Sequence, residues 1–256
     1  MRHQPVRPVL VVIAHGSRDP RHAATVHALV RRVRSLRPGL RVETGFLDFN
    51  VPSVHGVLES LAAEHEVPEV VALPLLLTRA FHAKADIPAV LREAPPRLRI
   101  RQAEVLGPSP ILLSALERRL HEAGLTPADT SSTGVVLASA GSTDPEAIAV
   151  IAEIAREWRH TGWCAVRPAF ASAGARAAFP RTEDAVRELR ALGCSRVAVA
   201  PYVLAPGFLP DRIARGAAEA DVLADVLGAA SEVARVLLHR YDEVSARALL
   251  PVRASA

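Results

Sequence analysis

The stretch VVIAHGSRDP (Val11–Pro20) runs four apolar residues into a histidine, a Gly-Ser turn and an Asp-Pro pair. It reads as a buried strand, a tight turn and the opening of a helix, because Asp-Pro suits a helix start and glycine suits the turn before it. About 125 residues later the same grammar returns as VLASAGSTDP, with Ala140 standing where His15 stood.

Working along the chain from this unit, PVLVVIAH, LRVETGFLDF, EVVALPLLL and LRIRQAEVL have the short apolar character of buried strands. The intervening DPRHAATVHALVRRVRSLRPG, VPSVHGVLESLAAEH, AKADIPAVLREA and SPILLSALERRLHEAG carry apolar residues at helical intervals. The polar, helix-breaking TPADTSST (126–133) reads as an interdomain linker. Then GVVLASAG, CAVRPAFAS, SRVAVAPYVL and ADVLADVLG restart the series. Landmarks pair at a nearly constant offset: Ser17 with Ser142, Phe46 with Phe170, Pro74 with Pro201, Phe81 with Phe208. The sequence therefore predicts an internally duplicated α/β protein, with one half over 1–125, a linker over 126–133 and a second half over 134–256. Flavodoxin-like strand order 2-1-3-4 in each half follows as the expected parallel topology, the twins packing around a central cleft.

Composition agrees with that class. Half of the 256 residues are apolar and only 4% are aromatic, which suits parallel sheets covered by helices. The net charge of +4, nearly all of its positive side arginine, suits acidic small ligands. Without aromatic-interleaved basic clusters or a zinc-finger signature, a nucleic-acid partner is not expected. Cys164 and Cys194 stand thirty residues apart and give neither a disulfide framework nor a cysteine metal clip, so packing roles in a reducing compartment are expected. The N-terminal MRHQPVRPVLVVIAHG places arginines before an apolar run too short for a signal peptide. No segment has the length of a membrane span, and a cytoplasmic protein without membrane partners is expected.

Ligands of open parallel sheets bind beyond the carboxyl ends of the strands. In the first half those ends deliver His15, then Asp48 in GFLDFN, and the loop after the third strand delivers His82 in LLTRAFHAKAD. Two imidazoles and a carboxylate are a ligand set for a borderline divalent cation with open positions. Taken singly, each has a structural explanation, a loop hydrogen bond for the histidines or a helix cap for Asp48. In the second half, however, the three become Ala140, Ser172 and Leu209 together while their surroundings persist. Joint loss is what one site carried by one half leaves behind.

VVIAHGSRDP, GFLDFNVPSV and LPLLLTRAFHAKADIP resemble the signatures of the class II tetrapyrrole chelatases, specifically the sirohydrochlorin chelatases that insert cobalt or iron in cobalamin and siroheme synthesis. The resemblance is strong over residues 9–123 and weaker but colinear over the second half. It implies the chelatase-like fold of two flavodoxin-like domains and a monomer with pseudo-two-fold symmetry. It further implies a tetrapyrrole substrate and no cofactor beyond the divalent metal substrate, Co²⁺ or Fe²⁺, with Ni²⁺ also in range. The family's metal-binding and catalytic histidines match His15 and His82. The acidic position after the Phe-Leu pair, usually glutamate in the family, is Asp48 here, one methylene shorter.

Metalation must remove two pyrrole protons and deliver a partly desolvated ion, and a histidine near neutral pH both ligates and accepts protons. Sirohydrochlorin's carboxylates give Arg18, Arg79 and Lys84 expected partners, with Ser17 and the amides of the HGS turn as hydrogen-bond donors. Pro206–Pro210, PGFLP, is expected to form the opposite wall. His22, His27 and His55 fall on helices without a partner at ligand spacing and are assigned to surface or packing. Two other classes fit parts of the pattern: a non-catalytic metal or tetrapyrrole carrier, and a phosphate-ligand binder built on HGSRDP.

Overall fold

The structure, a computed structural model, describes residues 7–66, 69–80, 82–172 and 179–248. In the first half the strands β1 (Val9–Ala14), β2 (Val42–Phe46), β3 (Glu69–Pro74) and β4 (Arg99–Gln102) form one parallel sheet in the order β2-β1-β3-β4. Helices α1 (Pro20–Leu36), α2 (Val54–Ala62), α3 (Ile87–Arg92) and α4 (Pro110–Glu122) connect and follow them. The second half repeats the order as β6-β5-β7-β8, from β5 (Thr133–Ser139), β6 (Ala165–Phe170), β7 (Arg196–Tyr202) and β8 (Val222–Leu223). Its helices are α5 (Pro145–Arg159), α6 (Thr182–Ala191), α7 (Phe208–Gly216) and α8 (Ser231–Ala248). The expected 2-1-3-4 topology is thus present in both halves. Between them, residues 127–132 form a short 3-10 turn closed by the Asp129 carboxylate on the Thr126 amide.

Alternation along the strands assigns the layers. Leu10, Val12 and Ala14 of β1 face one core, while Val9, Val11 and Ile13 face another with α2 and Ile87 of α3. In β5, Val135 and Leu137 join the first core, whereas Val136 and Ala138 pack with α6 and Ile213 of α7. The first core is shared: α1 and α4 from one half and α5 and α8 from the other lie between the two sheets. Polar ties cross the same layer. Trp158 Nε1 donates to Glu117 Oε1 at 3.0 Å, Tyr241 OH to the Pro8 carbonyl at 2.8 Å, and Arg118 pairs with Glu232 at 2.9 Å. The result is five layers, two outer helix pairs and two sheets around four inner helices.

The turns that end β1 and β5 are superimposable in chemistry. The Asp48 amide donates to the His15 carbonyl at 2.9 Å, and the Ser172 amide to the Ala140 carbonyl at 2.8 Å. Ser17 Oγ accepts from the Asp19 amide and Ser142 Oγ from the Asp144 amide, each at 3.0 Å. Gly16 and Gly141 hold φ of +94° and +87°. At Gly16 a Cβ would lie 1.9 Å from the Asp48 carbonyl oxygen, so glycine is needed there for conformation and for space.

The cysteines expected to be separate are neighbours, Sγ to Sγ 3.5 Å, because β5's partner strands bring the starts of β6 and β7 together. Both are free, and burial beside Cys164 pushes the Cys194 thiol up to about 11, which makes it a poor thiolate.

Two measurements check these inferences. Arg118 holds the Glu232 carboxyl at about 2, below its ordinary 4.5, so this group stabilises the fold fully above 4.5 and ceases to as pH falls toward 2. In thermal unfolding, Glu232→Gln is expected to lower the midpoint at pH 7, with the difference from wild type closing between pH 4.5 and 2. Gly16→Ala is expected to be more destabilising than Gly141→Ala. Both incur the left-handed penalty of about 1–2 kcal/mol, but at Gly141 the nearest obstacle is the Ser172 hydroxyl at 2.7 Å, which can rotate away, and not a backbone oxygen.

Candidate functional site

The shared inner layer turns the carboxyl ends of both sheets toward one another, and between them lies a cavity of about 330 Å³. One wall carries Ala14 and His15 from the end of β1 and Leu75–Thr78 from the end of β3. The facing wall carries Ser139–Ser142 from the end of β5 and Tyr202–Ala205 from the end of β7. Apart from His15 and His22 the lining is mostly aliphatic and aromatic, with Val26, Leu29, Ile148, Ile151 and Phe170 among it. Such a surface suits the faces of a large planar ligand.

His15 is half-buried at the head of β1, and its ring stacks at 6.5 Å on Phe49. Phe49 itself is 52% exposed, holds φ of +60°, and lies 5.2 Å under the Arg18 guanidinium. Asn50 completes this corner by accepting the Ser17 amide on Oδ1 at 2.8 Å. Neither Phe49 nor Asn50 is singled out by sequence reasoning. The available signal was an aromatic flanked by polar residues in a chain with six phenylalanines, directly after the acidic position.

Asp48 follows β2 and is brought beside His15 through the backbone, but its carboxylate is exposed and accepts the Phe49 amide on Oδ1 at 2.8 Å. It does not cap α2, because Ser53 does so, accepting the Gly56 amide at 3.1 Å. His82 opens a π-helical turn, His82–Asp86, eight residues after β3, where an α-helix beginning near Ala83 was expected. The α-helix starts only at Ile87, since Pro88 lacks the amide an uninterrupted helix would need there. Short π segments are frequent at functional sites. The His82 side chain, and with it the expected convergence of His15, Asp48 and His82, lies outside the described residues. Among the described residues no three His, Cys, Asp or Glu side chains form a metal-sized cluster.

Of the expected substrate-binding residues, Arg18 and Arg79 are exposed. Lys84, the only lysine in the sequence, reaches across the cleft to Asp144 and Glu146, 2.7 Å from each, and these contacts raise its pKa. Its pseudo-symmetric counterpart is Arg21 on Asp211 at 2.7 Å, with the charges exchanged between the halves. Lys84 therefore clasps the opposite half here. Ser17 is engaged within the turn, its amide on Asn50 and its hydroxyl oxygen on the Asp19 amide, while Asp19 Oδ1 takes the Arg21 amide. The Ser17, Asp19 and Arg21 amides are thus engaged within the protein.

Two assignments change. His22, placed with packing residues from sequence, lines the cavity, because the first turn of α1 folds back over the end of β1. His55 has a carboxylate partner one helical turn on, Glu59 at 3.1 Å, at the surface away from the cavity. His27 packs edge-on to Phe46 at 5.7 Å. Of the PGFLP segment, expected as a loop, Phe208–Pro210 open α7; Leu209 and Pro210 line the cavity, while Phe208 is exposed. The second half also contributes two hydroxyls unforeseen from sequence, Ser139 and Tyr202, register partners on β5 and β7. They are buried without hydrogen-bond partners among the described residues, where the first half has Ala14 and Leu75.

The CbiX family model matches residues 9–123 and again 134–244. Sirohydrochlorin cobaltochelatase of Priestia megaterium is 29% identical over 211 residues, which is 80% of this chain and 66% of the relative. Sirohydrochlorin ferrochelatase of the same organism is 26% identical over 241 residues, 90% of this chain and 88% of the relative. The chain thus spans about two thirds of the length of the cobaltochelatase and most of that of the ferrochelatase. Among solved structures, SirB from Bacillus subtilis with Fe³⁺ superposes with a TM-score of 0.78 at 23% identity, covering 94% of this chain and 97% of SirB. No helix among the described residues is long and apolar enough to cross a membrane. With both of its halves matched by one family and both sheets in the same strand order, the chain belongs to the CbiX family.

Proposed function

We propose that this protein is a sirohydrochlorin chelatase, inserting a divalent metal, cobalt or iron, into sirohydrochlorin. The observation that carries the reading is the one-sided cavity: an apolar cleft between twin strand ends, with His15 on one wall and Ala140 at the twin position on the other. The names of the cobaltochelatase and ferrochelatase relatives support the same substrate.

The aliphatic walls take up the faces of the macrocycle and exclude water from its centre. His15 and His82 hold the metal through neutral imidazole nitrogens and leave positions open for the ring nitrogens; as the ion passes to the ring, each imidazole nitrogen that releases it is free to accept one of the two displaced pyrrole protons. Asp48 assists from beside His15. With its carboxylate on the Phe49 amide, its part is to fix the Phe49 ring against the His15 imidazole as much as to meet the ion. Arg18 and Arg79 engage the acid side chains at the rim, and Ser17 orders the turn between them. Lys84 reaches those acid groups only by leaving Asp144 and Glu146, so its engagement is coupled to opening of the cleft.

A cytoplasmic location and a monomeric state, with a tetrapyrrole as the only partner, go with this reading, as does the absence of any cofactor beyond the metal substrate. Ni²⁺ is accepted alongside Co²⁺ and Fe²⁺ on the preferences of imidazole ligands. A carrier would use the same ligands without turnover.

The test is an anaerobic absorbance assay of sirohydrochlorin with Co²⁺, Fe²⁺ or Ni²⁺. Multiple turnovers by the wild type are expected, and a single stoichiometric binding event would point to the carrier. His15→Ala and His82→Ala are each expected to slow insertion by about 100-fold or more, the range for loss of a positioned acid-base group. Wild-type rates in both variants would refute the assignment.

A further inference from the structure

His22 has no part in the site as described so far, yet it stands on the same cavity wall as His15. It belongs to the first turn of α1, where the Asp19 cap fixes the helix start and the His22 amide donates to the Asp19 carbonyl at 3.1 Å. The imidazole is half-buried and lines the cavity. Its Nδ1 is buried and has no hydrogen-bond partner among the described residues. A buried imidazole nitrogen that serves only packing ordinarily finds a carbonyl, hydroxyl or carboxylate.

The duplication supplies an independent observation. The repeat-equivalent of His22 is Ala147, which lines the facing wall just as Ala140 does. The cap and turn are kept in both halves, with Asp19 and Asp144 each accepting the amide two residues on, at 2.9 and 3.0 Å. The imidazole is lost from this kept turn, together with those of His15 and His82. That is the pattern of a residue belonging to the one-sided site and not to the scaffold.

We infer that His22 forms with His15 a two-imidazole seat for the divalent metal on the leading half's wall, making it an additional ligand to the ion. The inference rests on the metal site proposed above and adds a residue to it. Two imidazoles on one wall hold a borderline cation while its other positions stay open toward the cleft, which is the coordination a metal must keep to be passed to ring nitrogens.

Co²⁺ alone, without tetrapyrrole, is the probe. The full-length protein is titrated anaerobically, and the visible d–d absorption of bound Co²⁺ is followed in wild type, His22→Gln, His22→Ala, His15→Ala and His82→Ala. His22→Gln keeps the volume and polarity of the side chain but not an imidazole. Both His22 variants are expected to weaken Co²⁺ binding by about tenfold or more and to change the d–d band, with unfolding midpoints near that of the wild type. Wild-type affinity and spectrum in His22→Gln would overturn the inference. If at the same time His15→Ala and His82→Ala lose Co²⁺, the proposed function stands without His22. If those two also bind as the wild type does, the metal site itself is wrong and the inference falls with it. A His22→Gln variant with weakened binding but an unchanged band would mean that His22 only positions His15, which also overturns its role as a ligand.

Discussion

Everything in this molecule is arranged around the layer of four helices that the two sheets share. Each sheet needs apolar cover on both faces, and each half alone supplies two helices for its inner face, α1 with α4 or α5 with α8. Packing those two pairs together closes one core out of two and orients both sheets with their carboxyl ends toward a common cleft. Ion pairs and hydrogen bonds at its edges, such as Arg118 with Glu232 and Tyr241 with the Pro8 carbonyl, set the register of an association that apolar burial drives.

Duplication under that constraint produces two walls with the same backbone and different chemistry. The Gly16 and Gly141 turns, the paired amide-to-carbonyl bonds and the Asp caps are preserved, since each half needs them to end a strand and begin a helix. Side chains that project from those turns into the cleft are free to diverge. The first half keeps His15 and His22 where the second has Ala140 and Ala147, and the second has Ser139 and Tyr202 where the first has Ala14 and Leu75. This division suits the proposed function: a single ion needs one set of donors, and a second set opposite would compete with the ring nitrogens for it.

Much of the fold was legible because buried parallel strands write themselves as short apolar runs, and because the repeat doubles every signal. His15 was visible as a histidine ending such a run, and the joint change to Ala140, Ser172 and Leu209 is the sequence signal behind the proposed site. His22 was not legible. On a helix of mixed polarity a histidine looks like any amphipathic surface residue, and only the fold-back of α1 over the end of β1 shows which way it faces. Phe49 and Asn50 were equally hidden, since a left-handed turn placing an aromatic ring on His15 has no periodic signature. Lys84 was legible as a positive charge near the site, but its engagement with Asp144 and Glu146 depends on residues sixty positions away.

The sequence by itself determined the strand and helix alternation, the two-fold repeat, the flavodoxin-like order of each half and the side of the cleft that bears imidazole. These follow from local periodicity and from comparison of the chain with itself. Tertiary structure alone decided how the halves meet, which side chains share the cavity and which charges are already engaged across it. Those properties depend on contacts between residues far apart in the chain, where no local pattern constrains the partner.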